Sequence, residues 1–286
     1  MPGSGKTDVD AAIQAGPLSV KQMETIARKL RRHIISMTGK AGSGHPGGSL
    51  SSVEIVTALY FGLLRHNPKD PRWPDRDRFI LSKGHAAPLL YAALAECGYF
   101  PVEELATLRQ LDSRLQGHTD RTATPGVEMS AGALGQGLSF AVGVALAGRL
   151  NLQEYRVYVL LGDGECDEGQ VWEAAMAAAH FKLGNLVAIV DNNGQQIDGW
   201  NRDVMNLDPF NEKWQAFGWH VIEVDGHDLA RLIAAFDQAK LIKGQPVVII
   251  AHTVKGKGVS FMENNLDFHG NAPTADEVEI ALKELE

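Results

Sequence analysis

The chain has 286 residues, of which 44% are hydrophobic, enough to fill the core of one large domain or two small ones. A formal net charge of −8 argues against a general nucleic-acid or membrane-surface binder. No apolar run reaches the roughly 18 residues a membrane span needs, and two cysteines, Cys97 and Cys166, make neither a disulfide framework nor a metal-ligand spacing. The start lacks the charged-then-apolar pattern of a secretion signal, so a reducing, cytoplasmic compartment is expected.

Residues 1–17 read as a flexible tail. Within it, Gly3-Ser4-Gly5-Lys6-Thr7 holds only half of a phosphate loop and has no strand before it. Ser19 suits the cap of a helix running to about Met37, with Met23, Ile26, Ala27, Leu30, Ile34 and Ile35 near helical spacing. Residues 38–51 read TGKAGSGHPGGSLS, with five glycines between 39 and 48 and His45 in the middle. Such a loop approaches something closely. One helix is expected over about 51–64.

A short strand over 77–81 ends in SKGH, with His85 leading into a helix through Ala95. His118 follows in the irregular segment LQGHTDR. Residues 124–148 divide into a glycine-rich loop and a helix dense in Ala and Gly. Gly132 and Gly135 would let main chain lie flat against a planar ligand, and the helix suits tight packing against another helix or a neighbouring subunit.

Residues 155–199 organise the rest. The apolar run Val157–Leu161 ends in Gly162-Asp163-Gly164, a helix covers about 170–182, and a second run, Leu186–Val190, ends in Asp191-Asn192-Asn193. This is a βαβ pattern. In an open parallel sheet, ligands bind beyond the carboxyl ends of the strands. Asp163, Asn193 and the Gln195 carbonyl would supply hard oxygens there, a set that suits Mg²⁺ with positions left for phosphate oxygens. The alternative is two ordinary strand-end turns using Gly, Asp and Asn for their geometry.

A loop and short helix follow over 206–217, then a strand over 219–224 ending in DGH, a helix over 228–239 and a strand over 246–252. Lys255 and Lys257 stand between glycines and face phosphate or solvent. After His269-Gly270 a last helix runs over about 274–284. The pattern predicts an α/β fold: one domain over 18–286, a parallel sheet with helices on both faces, and a helical N-terminal extension.

SGHPGGSLS, SKGH, TPGVEMSAGALGQG, GDGECDEG with DNNGQQIDG, HTVKGKG and FHG occur in one order. Over residues 19–272 they resemble the N-terminal, diphosphate-binding half of transketolase, and more closely the N-terminal subunit of a split transketolase. The resemblance implies the thiamine diphosphate-binding (PP) fold, with thiamine diphosphate and Mg²⁺ as cofactors. Asp163 and Asn193 match the Mg²⁺ side-chain ligands, and Gln195 matches the carbonyl ligand. His85, Gly164 and Lys255 match positions near the diphosphate; Gly132 and Leu134 match residues packing along the cofactor. His45, His118 and His269 match histidines that line the substrate channel, His269 also touching cofactor. Glu168 matches a glutamate at the subunit interface that orients cofactor activation.

The implied reaction moves a two-carbon ketol unit from a ketose phosphate to an aldose acceptor. The implied partner is a separate C-terminal subunit carrying the pyrimidine domain, in an A2B2 heterotetramer. Ala131 and Ala133 depart from the Thr and Pro common in long-chain members, and Phe268 from the Trp of short ones. Three alternatives stay open: a 2-oxoacid dehydrogenase subunit, a transketolase for a sulfonated or branched sugar, and a non-catalytic cofactor-binding subunit.

Overall fold

The computed structural model describes residues 18–286; the tail and half phosphate loop expected before Leu18 lie outside the described residues. Ser19 caps helix α1 (Val20–Ala41) through a capping box with Gln22. The helix runs past Met37 until Gly42, in the left-handed region at φ 58°, accepts the turn. The single helix expected over 51–64 is instead three pieces: α2 (Pro46–Leu50), α3 (Val53–Ala58) and a π-helical turn over Leu59–Leu63. Pro46 starts the first piece early, because its fixed φ suits a first helical position. The break at Ser51 and Ser52 is held by other partners: Ser51 Oγ donates to Asp191 Oδ2 at 2.6 Å, and Ser52 Oγ accepts from Lys83 Nζ at 3.1 Å.

Next come β1 (Arg78–Leu81), α4 (Ala87–Glu96), α5 (Gln136–Leu150), β2 (Val157–Gly162), α6 (Gly169–His180) and β3 (Leu186–Asn192). Two short helices, α7 (Asn201–Val204) and α8 (Phe210–Ala216), precede β4 (His220–Asp225), α9 (Leu229–Leu241), β5 (Val247–His252) and α10 (Ala275–Glu284). The five strands are all parallel, in the order β1-β2-β3-β5-β4.

Side-chain alternation splits the core between the two faces of the sheet. Phe79, Leu81, Tyr158, Leu160, Val187 and Ile189 face a layer of α1, α3, α4 and α9. Ile80, Val157, Val159, Leu161, Ala188 and Val190 face α5, α6 and α8. The expected α/β architecture with helices on both faces is therefore present. Among the described residues no helix is long and apolar enough to cross a membrane.

Because every strand points the same way, every carboxyl end lies along one edge. The SKGH turn after β1, the GDG turn after β2, the DNNGQQ turn after β3 and the TVKGKG loop after β5 gather there.

Candidate active site

At that edge lies a cavity of about 270 Å³. His45, His85, His118, Gly132, Leu134, Asp163, Gly164, Asn193, Gln195, Lys255 and His269 all line it. Eleven of the twelve residues expected at the site thus converge from segments far apart in sequence. The twelfth, Glu168, does not line it: it is exposed at the start of α6, with its side chain against Gly135. Lys257 also points elsewhere and pairs with Glu263 at 3.2 Å.

Asp163 closes the turn after β2. Its Oδ1 accepts from Gly164 N at 2.9 Å and its Oδ2 from Gly194 N, which ties the β2 turn to the β3 turn. It is 1% exposed. Burial, and then the neighbouring Asp191 carboxylate, push its pKa up to about 7. A buried carboxylate in that state calls for a cation, and the donors nearby are oxygens. The Asn193 side chain and the Gln195 main chain stand on the same wall, with Asn193 Oδ1 accepting from Gln195 N at 3.1 Å. Among the described residues no three His, Cys, Asp or Glu side chains gather as a metal cluster. One carboxylate, one amide and one carbonyl make a sparse hard-oxygen set, which suits a cation that keeps positions open for a ligand's oxygens.

Basic groups line the cavity beside these oxygens. Lys255 is 2% exposed, and its Nζ reaches the Gln195 carbonyl at 3.3 Å and His269 Nδ1 at 2.7 Å. Burial, and then Lys83, lower its pKa to about 8. Because an ammonium only donates, His269 accepts at Nδ1 and carries its proton on Nε2. His45 is the hub of a ring cluster, 5.5 Å from His85, 5.8 Å from His118 and 5.9 Å from His269. His85 and His269 stack at 5.3 Å.

Burial is the leading cause that lowers all four. Added to it are Arg109 for His45 (about 4) and His118, Lys83 for His85, and Lys255 for His269 (about 3). Four neutral imidazoles beside the buried Lys255 ammonium form an anion-seeking side of the cavity. A diphosphate would supply the anion, and neutral imidazoles can pass protons in both directions at neutral pH. Gly48 lets this crowd form: a methyl group there would stand 3.0 Å from His85 Nε2.

Three groups that support the site were not singled out from the sequence. Lys83 and Asp191 form an ion pair beneath the cavity, 1% and 0% exposed. Asp191 also accepts from Ser51, Thr253 and Asn193. Burial opposes its ionisation, but Lys83 and these donors hold its pKa below the usual value. Glu165 joins three turns at once, accepting from Ser82 Oγ, from Gly135 N at 2.9 Å and from Gly162 N at 3.0 Å. A lysine two residues before His85, or a glutamate two after Asp163, gives no such signal in one dimension.

A parallel sheet with a cation-seeking carboxylate and an anion-seeking basic wall at its carboxyl edge defines a cofactor-binding α/β domain of the kind that takes a metal-bound diphosphate. Residues 22–285 match the family model described as transketolase, thiamine diphosphate binding domain. The chain is 47% identical over 260 residues to the 6-deoxy-6-sulfo-D-fructose transketolase subunit SqwG of Clostridium sp., covering 91% of this chain and 94% of that one. It is 45% identical over 269 residues to an apulose-4-phosphate transketolase subunit of Actinobacillus succinogenes, covering 94% and 97%. Against the solved transketolase of Campylobacter jejuni the TM-score is 0.88 at 35% identity, covering 94% of this chain but 43% of that one. The chain belongs to the transketolase family of transferases, as its thiamine diphosphate-binding domain. It spans less than half the length of the long-chain members it matches.

Proposed function

We propose that this chain, residues 18–286 acting as one domain, is the cofactor-binding subunit of a two-chain transketolase. The observation that carries the reading is the pairing across one cavity of Asp163, raised by burial, with Lys255 and four depressed histidines. Asp163, Asn193 and the Gln195 carbonyl would hold Mg²⁺; His85, Gly164 and Lys255 would hold the diphosphate; Gly132 and Leu134 would pack along the cofactor. Thiamine diphosphate, when bound, supplies the nucleophilic carbon that accepts a two-carbon ketol unit.

The chain's own residues carry protons and orient the sugar. His269, its Nδ1 facing Lys255, presents Nε2–H to a developing alkoxide. His45, 5.9 Å from it, and His118, exposed and 5.8 Å from His45, exchange protons with the donor and acceptor hydroxyls. Glu168, exposed beside the cavity's glycine loop, serves at the interface with a partner chain that carries the pyrimidine domain, in an A2B2 assembly.

The donor is a ketose phosphate or a related anionic sugar. The named activities of the two relatives above, on sulfofructose and apulose 4-phosphate, favour the second reading of a non-standard sugar. The four converging histidines favour either over a 2-oxoacid dehydrogenase subunit or a non-catalytic one. Calorimetric titration of thiamine diphosphate with Mg²⁺ into the chain, alone and with a C-terminal transketolase subunit, tests the reading. Binding followed by ketol transfer from xylulose 5-phosphate or a sulfonated ketose supports it; turnover of pyruvate instead, or no cofactor binding with any such partner, overturns it.

A further inference from the structure

Behind Lys255, on the side away from the cavity, three buried or half-buried groups from α1, α3 and the β4–α9 turn meet. Arg31 grips Glu54 with both ends of its guanidinium, Nη1 to Oε1 at 2.6 Å and Nη2 to Oε2 at 2.9 Å. His227 Nδ1 lies 3.0 Å from Glu54 Oε2. The other two contacts go to main chain: Val254 N donates to His227 Nε2 at 2.8 Å, and Arg31 Nε donates to the Lys257 carbonyl at 2.9 Å. The relay therefore holds both ends of the segment Val254–Lys257, with Lys255 between them.

The hydrogen bonds also fix the protonation pattern. A peptide N–H only donates, so His227 Nε2 must be bare, and the proton sits on Nδ1 facing Glu54. Burial disfavours a charge on Glu54, but His227 and Arg31 hold its pKa below the usual value, so it stays an acceptor. Beyond the relay the loop is held by Gly256 N to the Gly47 carbonyl at 3.0 Å, Asn264 N to the Lys255 carbonyl at 2.9 Å, and the Lys257–Glu263 ion pair at 3.2 Å.

We propose that Arg31, Glu54 and His227 form a positioning relay that fixes the Val254–Lys257 segment and so aims Lys255 Nζ into the cavity. None of the three lines the cavity, so each acts through the loop. The hold on the loop is independent of any ligand; its effect on cofactor affinity rests on the reading of Lys255 given above.

The test uses the full chain and two substitutions at one position. His227→Asn keeps a donor for Glu54 but has nothing to reach Val254. His227→Gln offers an amide oxygen for Val254 N–H and an amide N–H for Glu54, so it replaces both bonds. Amide hydrogen exchange without cofactor is expected to quicken by about tenfold at Val254 and Gly256 in His227→Asn, the equivalent of one lost hydrogen bond. Exchange in the β2 and β3 core stays unchanged, and His227→Gln restores the loop. Calorimetry should show thiamine diphosphate with Mg²⁺ binding about tenfold more weakly to His227→Asn and close to normally to His227→Gln.

Unchanged loop exchange in His227→Asn, failure of His227→Gln to restore it, or equal cofactor affinity across binding variants overturns the proposal. If the unsubstituted chain binds no cofactor even with a C-terminal transketolase subunit, the functional reading fails by itself, and the exchange data still judge the hold on the loop. Should His227→Asn not fold, Arg31→Lys loosens the Lys257 end, and the same amides must quicken for the relay to stand.

Discussion

Asp163 carries a heavy electrostatic load at the site. Its pKa in the folded chain, about 7, lies above the ordinary carboxylate value of 3.8. The folded state therefore prefers the protonated form. That preference is fully available below pH about 4 and is lost as pH rises through about 7. Without metal, Asp163→Asn removes the charge, so the variant should become more stable relative to the unsubstituted chain as pH climbs from 4 to 8. The gap, on the order of 1–3 kcal/mol, closes at acid pH. Urea unfolding at several pH values measures it; a gap that widens toward acid sinks the electrostatic account. With Mg²⁺ and thiamine diphosphate the order should reverse at neutral pH, because the variant lacks the ligand. Its cofactor affinity should fall by more than about 100-fold, since even outer-shell losses cost about 10–100-fold.

The histidines separate chemistry from binding on the same scale. In the assembled enzyme, His45→Ala and His269→Ala should each lower kcat by about 100-fold or more, the usual worth of a positioned proton-transfer group. Cofactor affinity should change far less. Single-turnover kinetics at saturating cofactor, beside calorimetry, read the two effects apart. A variant that loses affinity but turns over normally when saturated would return His45 or His269 to a packing role.

Among the elements, the break between α2 and α3 shows how the fold serves the site. A continuous helix over 51–64 would turn Ser51 and Ser52 away from Asp191 and Lys83. With the break, the ion pair between the β1 turn and the end of β3 is capped by Ser51, Ser52, Thr253 and Asn193. Removing one partner leaves the other buried and uncompensated, at a cost of about 3–5 kcal/mol. Lys83→Met is therefore expected to destabilise the chain by that amount in denaturant unfolding, whereas a double Lys83→Met, Asp191→Leu variant should recover much of it. If the single variant costs under about 1 kcal/mol, the pair contributes little to holding the turns.

The elements that periodicity and capping dictate were legible from the chain alone. Ser19, the apolar runs ending at Gly162 and Asp191, and the helix after Gly169 fall within a few residues of expectation. The cavity was legible because its residues sit inside short glycine-bearing motifs. Lys83 with Asp191, Glu165 with Ser82, and His227 with Glu54 were not, because their partners lie 108, 83 and 173 residues apart. Such pairs exist only once the parallel sheet has brought the turns to one edge. The single helix over 51–64 failed for the same reason: the groups that reward breaking it come from β1 and β3.

On the scale of the whole molecule, the site is open at its rim. His118 and Gly132 are exposed at its rim, and Ile197, 68% exposed, lies on the turn over its edge. On α6, Met176 is 58% exposed. An open rim with exposed Ile197, and an exposed Met176 on α6, fit a chain that completes its site against another surface. A partner that binds only the folded chain stabilises it by mass action, about 2.7 kcal/mol at 100 times Kd. At the roughly 2 °C per kcal/mol expected for a chain of this size, the melting temperature should rise by about 5 °C with partner present, and further with cofactor. Met176→Glu places a charge on the open face of α6 without disturbing the core, so it should leave the isolated chain's melting temperature within about 1 °C while abolishing the rise. Differential scanning calorimetry on both forms, across a series of partner concentrations, checks this. A rise that survives the substitution would place the partner on some other face, whereas loss of the isolated chain's own stability would show that Met176 supports the fold instead of an interface.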